Sequence, residues 1–194
     1  GNQIKIVGVN GNIGVAGDVI SERVLKINAD GTIVTNKTQA KEAMEVKAKE
    51  FTQNTSTYTE GNLTIDADKV TLKGNGTQAG NILITGDLEN EVNIYSGNDI
   101  NIGKGLVNKS GQIVAERNIS VNNKADNKDL LYAKNNITIG KELDNTGNIQ
   151  SNGSIKTGGN TTNTGKILSE KELEINGKLT SSGTVYGKNK ADIK

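Results

Sequence analysis

Two carboxylates, Asp126 and Asp144, lie eighteen residues apart in the sequence, and paired carboxylates are the groups with which glycosidases cleave polysaccharides. The chain has no His and no Cys, which removes the commonest general base, the serine–histidine dyads and thiol nucleophiles. No calcium-binding glycine–aspartate repeat is present either. We therefore predict no catalytic residues, no metal ligands, no cofactor and no enzymatic activity, and interpret the Asp pair as part of a solvated face.

The tyrosines are the second group of residues that could have a functional role, because aromatic rings can stack on sugars or contact a partner protein. All four occupy the same outward position of the repeat described below, which a leucine shares. Stabilisation of an exposed parallel sheet by stacked side chains is the alternative role for such a column. The residues of this predicted binding strip are Tyr58, Tyr95, Tyr132, Leu168 and Tyr186.

An eighteen-residue repeat is the feature that must position these side chains. Similar short segments begin at Gly111, Gly147, Gly165 and Gly183, which are spaced by multiples of eighteen. Within each unit, apolar residues alternate with polar ones in three short runs, the pattern of strands buried on one face. One such unit cannot close a core, but stacked units can. The repeat predicts an all-β fold, a right-handed parallel β-helix or solenoid.

Asparagine recurs at position 17 of the repeat, counted from the glycine that begins each unit, at the end of the third apolar run. Stacked amides in register can hydrogen-bond to one another, as they do in other in-register β-structures. We therefore predict a structural asparagine ladder rather than a ligand site. Its members are Asn90, Asn108, Asn127, Asn145 and Asn163.

The regularity of the repeat predicts two regions. Residues 1–54 are expected to form irregular N-terminal coils with an inserted loop near residues 37–42, where a helix over residues 37–51 is the alternative. Residues 55–194 are expected to form regular coils, of which the last is truncated. About ten coils at roughly 4.8 Å each predict a rod on the order of 45 Å long. The missing final cap favours a fragment of a longer protein.

Composition excludes several kinds of partner. The 23 basic and 22 acidic residues leave a formal net charge of +1, and the two signs are interspersed, so no footprint for nucleic acid is present. No apolar run has the length of a membrane span, and we expect no membrane insertion. The chain contains no Pro, as continuous β-ladders would require.

Two segments carry a resemblance to a known family. The run that begins Asn136-Ile-Thr-Ile-Gly-Lys-Glu-Leu-Asp-Asn-Thr-Gly, followed by Lys171-Glu-Leu-Glu-Ile-Asn-Gly-Lys-Leu, resembles the repeats of filamentous haemagglutinin. That family comprises exoproteins of two-partner secretion in Gram-negative bacteria, including contact-dependent growth-inhibition stalks. The resemblance implies export through an outer-membrane transporter, a secreted or cell-surface location outside the outer membrane, and adhesion to glycans or proteins of host or neighbouring cells.

The sequence thus predicts a shaft or adhesive segment of a secreted bacterial surface adhesin. Two alternatives remain open at this point. One is a carbohydrate-active β-helix enzyme of the polysaccharide lyase or hydrolase type, which would build its site from long loops. The other is an autotransporter passenger, which shares the fold and differs in its secretion route.

Overall fold

The computed structural model describes residues 3–9 and 11–194, and every regular element in them is a β-strand. The strands pair in parallel with the equivalent strands of the preceding and following turns. The chain is therefore a parallel β-solenoid with three faces, and the predicted β-helix with an eighteen-residue repeat is confirmed. The first face contains eleven strands, so the described solenoid has about eleven turns, one more than expected.

The first face is a continuous sheet in which each strand lies between strands of the turns before and after it. Its strands are β1 (Gln3–Gly8), β4 (Val24–Ala29), β6 (Ala43–Lys47), β8 (Asn62–Asp66), β11 (Ile82–Ile84), β14 (Ile100–Ile102), β17 (Ile119–Val121), β20 (Ile137–Ile139), β23 (Ile155–Thr157), β26 (Glu172–Ile175) and β29 (Lys190–Ile193).

The second and third faces are joined in the early turns, where two long strands bend from one face onto the other. The second face contains β2 (Ile13–Val15), the first parts of β5 (Thr32–Ala40) and β7 (Glu50–Thr59), β9 (Lys69–Leu72), β12 (Asp87–Asn90), β15 (Leu106–Asn108), β18 (Ala125–Asn127), β21 (Leu143–Asn145), β24 (Thr161–Asn163) and β27 (Leu179–Ser181).

The third face carries the tyrosines. It contains β3 (Val19–Ser21), the second parts of β5 and β7, β10 (Gly76–Ala79), β13 (Ile94–Ser96), β16 (Ile113–Ala115), β19 (Leu130–Ala133), β22 (Asn148–Ser151), β25 (Lys166–Ser169) and β28 (Thr184–Gly187).

The interior consists of columns of aliphatic side chains, because alternate residues of each strand point inward. On the third face, Ile94, Ile113, Leu131, Ile149 and Ile167 pair in successive turns and are at most 1% exposed. The apolar positions of the repeat therefore form one internal column, which continues to the partly buried Val185. Burying one such side chain contributes about 1.5–3 kcal/mol.

The predicted inserted loop near residues 37–42 is wrong, and so is the alternative helix over residues 37–51. Lys37 to Ala40 belong to β5, and the first-face spacing here is nineteen residues, as in Leu25 beside Met44. The β5–β7 register shifts between Thr35 and Lys37, which displaces the alternation of buried and exposed positions. Because the buried positions after the shift are the polar Thr38 and the small Ala40, the second part of the strand has only a weak apolar signal. The boundary predicted between residues 54 and 55 falls within β7.

Candidate binding surface

A single outward column runs along the third face, and we call it the tyrosine column. Its ten members pair in register from turn to turn, and each is partly or fully exposed. They are Ile20, Gln39, Tyr58, Gln78, Tyr95, Val114, Tyr132, Gln150, Leu168 and Tyr186. None of the ten is charged, although 23% of the residues in the chain are Asp, Glu, Lys or Arg.

The five residues of the predicted strip all lie in the tyrosine column. Sequence reasoning missed its three glutamines, which are Gln39, Gln78 and Gln150. Gln78 lies twenty residues after Tyr58 and seventeen before Tyr95, so a fixed eighteen-residue count loses the register there. The buried Thr57 and Thr77 beside these positions are the signal that could have restored it. Gln150 keeps the eighteen-residue spacing to Tyr132 and Leu168, so the repeat alone places it in the column.

An open cleft of about 310 Å³ interrupts the tyrosine column between Tyr58 and Tyr95. It exists because Gly76, which pairs with Ser56 in the turn before, has no side chain. The lining is formed by uncharged residues, namely Ser56, Thr57, Tyr58, Asn75, Gly76, Thr77, Gln78, Asn93 and Tyr95.

Hydrogen bonds to neighbouring turns hold two of the tyrosine hydroxyls. Tyr95 Oη donates to Glu116 Oε1 over 3.4 Å, and Asn152 Nδ2 donates to Tyr132 Oη over 3.0 Å. The Glu116 carboxylate also forms an ion pair with Lys134 at 3.2 Å. These contacts restrict the rings, so the column presents aromatic surface at low cost in side-chain entropy.

The five predicted ladder asparagines stack inside the solenoid at the end of the second-face strands. Each Nδ2 donates to Oδ1 of the next, over 2.9, 2.9, 2.8 and 2.7 Å from Asn90 to Asn163. All five are at most 1% exposed. Asn163 Nδ2 then donates to Ser181 Oγ over 3.1 Å. The ladder is enclosed by the chain, so its amides connect turns rather than contact solvent.

A second polar ladder, which sequence reasoning missed, lies where each turn enters the first face. Asn81 Nδ2 donates to Asn62 Oδ1, and Asn118 Nδ2 donates to Asp99 Oδ1 over 2.8 Å. Oδ1 of Asn136 accepts the backbone N–H of Ser154 over 2.9 Å. The recurrence of Asn or Asp at the residue before the first-face strand is the signal that could have revealed it. Both ladders stiffen the connection between turns.

The acidic pair has the geometry of a charged structural surface. Asp126 and Asp144 pair in adjacent strands of the second face. Lys124 Nζ lies 2.5 Å from Asp144 Oδ2, and this hydrogen bond raises the pKa of Lys124. Lys128 Nζ lies 3.9 Å from Asp126 Oδ2. Each carboxylate therefore has a lysine partner on the exposed surface.

On the first face, two lysines lower the pKa of a glutamate in a similar arrangement. Glu174 accepts hydrogen bonds from Lys194 and Lys156, at 2.8 and 3.1 Å, and these contacts lower the pKa of Glu174 to about 2. On the second face, Lys109 holds the pKa of Glu89 below its ordinary value in the same way. Such pairs neutralise charge between turns on the faces that lack tyrosine.

Other kinds of site were sought across residues 3–9 and 11–194. No group of three or more acidic side chains there is arranged to hold a metal ion. The same residues contain no helix with the length and apolar character needed to span a bilayer. Compared with protein-family models, with curated proteins and with solved structures, the chain matches none.

Proposed function

We propose that this chain is a shaft segment of a secreted bacterial surface adhesin, which extends a rigid rod and presents the tyrosine column along one side. The observation that carries the proposal is the column itself: ten uncharged, solvent-facing positions in succession on a surface that is otherwise rich in charge. Aromatic and amide side chains in such a row supply both apolar contact and hydrogen bonds to a partner.

The architecture supports the part of the proposal that concerns reach. Each turn adds about 4.8 Å of height, so about eleven turns extend the chain on the order of 50 Å. Stacked aliphatic columns link successive turns, and the two polar ladders add hydrogen bonds between turns from Asn62 to Ser181. Bending this part of the rod therefore breaks several contacts at once. A rod of this kind holds a lateral surface at a fixed distance from its point of attachment.

The partner that we propose is a glycan or protein on the surface of a host or neighbouring cell. The near-zero net charge gives no electrostatic attraction to nucleic acid and none to anionic lipid. The resemblance to filamentous haemagglutinin repeats favours secretion through an outer-membrane transporter and a location outside the outer membrane. It also favours two-partner secretion over the autotransporter route.

We propose binding rather than catalysis for this segment. The carboxylates of Asp126 and Asp144 pair in adjacent strands of the second face, and each is half-buried and engaged by a lysine. This geometry favours a structural role for the pair over the polysaccharide-cleaving alternative.

A cell-adhesion assay tests the proposal. Beads coated with the chain should adhere to bacterial or epithelial cells, and the double substitution Tyr95→Ser and Tyr132→Ser should reduce adhesion at least tenfold. Leu83→Ser is the matched control, since Leu83 is 41% exposed on the first face and Tyr95 is 39% exposed on the third. Undiminished adhesion by the double variant would contradict the proposal. Release of reducing ends from the same glycans would favour the enzyme instead.

A further inference from the structure

We propose that the cleft between Tyr58 and Tyr95 is a binding site for a neutral oligosaccharide. The inference rests on the proposed adhesive function and assigns to it a place and a class of ligand. In this cleft two aromatic rings flank a concave, uncharged surface.

The chemistry of the lining selects against charged ligands. Ser56, Asn75 and Gln78 offer hydroxyl and amide groups, each of which can both donate and accept hydrogen bonds. Sugar hydroxyls have the same dual character, so such a surface can satisfy them in either orientation. An anionic ligand would find no ammonium or guanidinium group in this lining, and a cationic ligand would find no carboxylate.

The two tyrosines supply the apolar half of the interaction. Tyr58 and Tyr95 each pair with Gln78, from the turn before and the turn after. Their backbones are therefore two strand spacings apart, about 10 Å. Pyranose rings carry apolar C–H groups on their faces, which pack against aromatic rings. Successive sugars of one chain can thus contact Tyr58 and Tyr95 while the Gln78 amide meets the hydroxyls between them.

The floor of the cleft is fixed before any ligand binds. Gln53 is fully buried, and its Nε2 donates to the carbonyl oxygens of Lys73 and Gly76 over 3.0 and 3.3 Å. Thr77 Oγ1 donates to Gln53 Oε1 over 2.8 Å. This buried amide therefore holds the backbone at Lys73 and Gly76 and the side chain of Thr77. A preformed site of this kind loses little conformational entropy on binding.

Binding of hexasaccharides to the intact chain tests the proposal. The neutral probes are maltohexaose, cellohexaose and mannohexaose, and the charged probe is a heparin hexasaccharide, each titrated to 10 mM and followed by NMR. We expect at least one neutral probe to bind and to shift the side-chain amide of Gln78. Tyr58→Ser, Tyr95→Ser and Gln78→Ala should each weaken that binding at least tenfold.

The first face supplies controls outside the tyrosine column. Leu83→Ser removes an exposed apolar side chain and Gln3→Ala an exposed amide, and we expect neither to change the affinity for the neutral probe. A circular dichroism spectrum unchanged from the parent would show that each variant is folded. The proposal is overturned if no neutral probe binds, if heparin binds in preference, or if the controls weaken binding as much as the cleft variants.

The same variants separate this site from the broader proposal. If neutral probes do not bind but Tyr95→Ser with Tyr132→Ser still abolishes adhesion, the partner is a protein or charged glycan, so the oligosaccharide site is overturned while the adhesive column stands. If neutral probes bind at the cleft but adhesion is unchanged, the site stands and the adhesive function of the column is contradicted.

Discussion

Asn127 Nδ2 lies 2.8 Å from Asn145 Oδ1, and Asn127 Oδ1 lies 2.9 Å from Asn108 Nδ2, so a single buried amide links three successive turns. The same Nδ2 also lies 2.8 Å from the carbonyl oxygen of Asp129. The Asn127 side chain therefore hydrogen-bonds to the ladder asparagine in the turn before, to the one in the turn after, and to the backbone just after its own strand. Its removal leaves polar groups on both sides without partners.

Asn127→Ala should destabilise the solenoid by about 2–4 kcal/mol, since the Asn108 amide and the Asn145 carbonyl would each be buried without this partner. Unfolding in guanidinium chloride, followed by circular dichroism, measures the change. The control is Asn122→Ala in an exposed turn, for which about 0.5 kcal/mol or less is expected. Equal losses in the two variants would show that the ladder adds nothing specific.

Ile149→Ala should cost about 2–5 kcal/mol, because the side chain is fully buried between Leu131 and Ile167 and its truncation leaves a cavity. The next residue, Gln150, points outward on the same strand, so Gln150→Ala should change stability by about 0.5 kcal/mol or less. Thermal unfolding of both variants compares them directly. If Gln150→Ala were more destabilising than Ile149→Ala, Gln150 rather than Ile149 would have to lie in the core.

Gly111→Ala should destabilise the chain by about 1–3 kcal/mol. Gly111 has φ +88°, and a Cβ there would lie 2.2 Å from the carbonyl oxygen of Val92. Gly14→Ala is the contrasting change, because no atom lies within 4 Å of its Cβ position. We expect that variant to be unchanged or more stable by about 0.4–1 kcal/mol. Chemical denaturation of the two proteins checks the contrast.

Acid should weaken the first face through Glu174. Its pKa is about 2 in the folded chain against an ordinary value of 4.5, so its charge contributes stability above about pH 4.5, and that contribution is lost as the pH falls through about 2. Melting temperatures measured from pH 5 to pH 2 should therefore fall less steeply in Glu174→Gln than in the parent.

Glu172→Gln is the control for this titration, since Glu172 is exposed on the same strand and forms no ion pair among the described residues. Its melting temperatures should follow those of the parent across the acid range. Identical curves for the parent and Glu174→Gln would contradict the assignment of this acid sensitivity to Glu174.

Most of the fold could be predicted from Ile94 onward, because the turns there repeat similar side-chain types at spacings of eighteen or nineteen residues. A buried Ile recurs above a buried Ile, and a buried Asn above a buried Asn, so the repeat alone aligns one turn with the next. Prediction failed at residues 37–42, where the bend in β5 shifts the alternation and a buried threonine replaces the aliphatic residue. It also lost the register around Gln78, where the turn length varies.

The sequence by itself determined the period, the inward columns and the asparagine ladder, since each follows from residue types that recur at a fixed interval. Only the tertiary structure decided which outward residues become neighbours, because pairing between turns tolerates insertions of one or two residues at the corners. That pairing places Gln78 between Tyr58 and Tyr95. It also places Gly76, which has no side chain, beside Ser56 in the lining of the cleft.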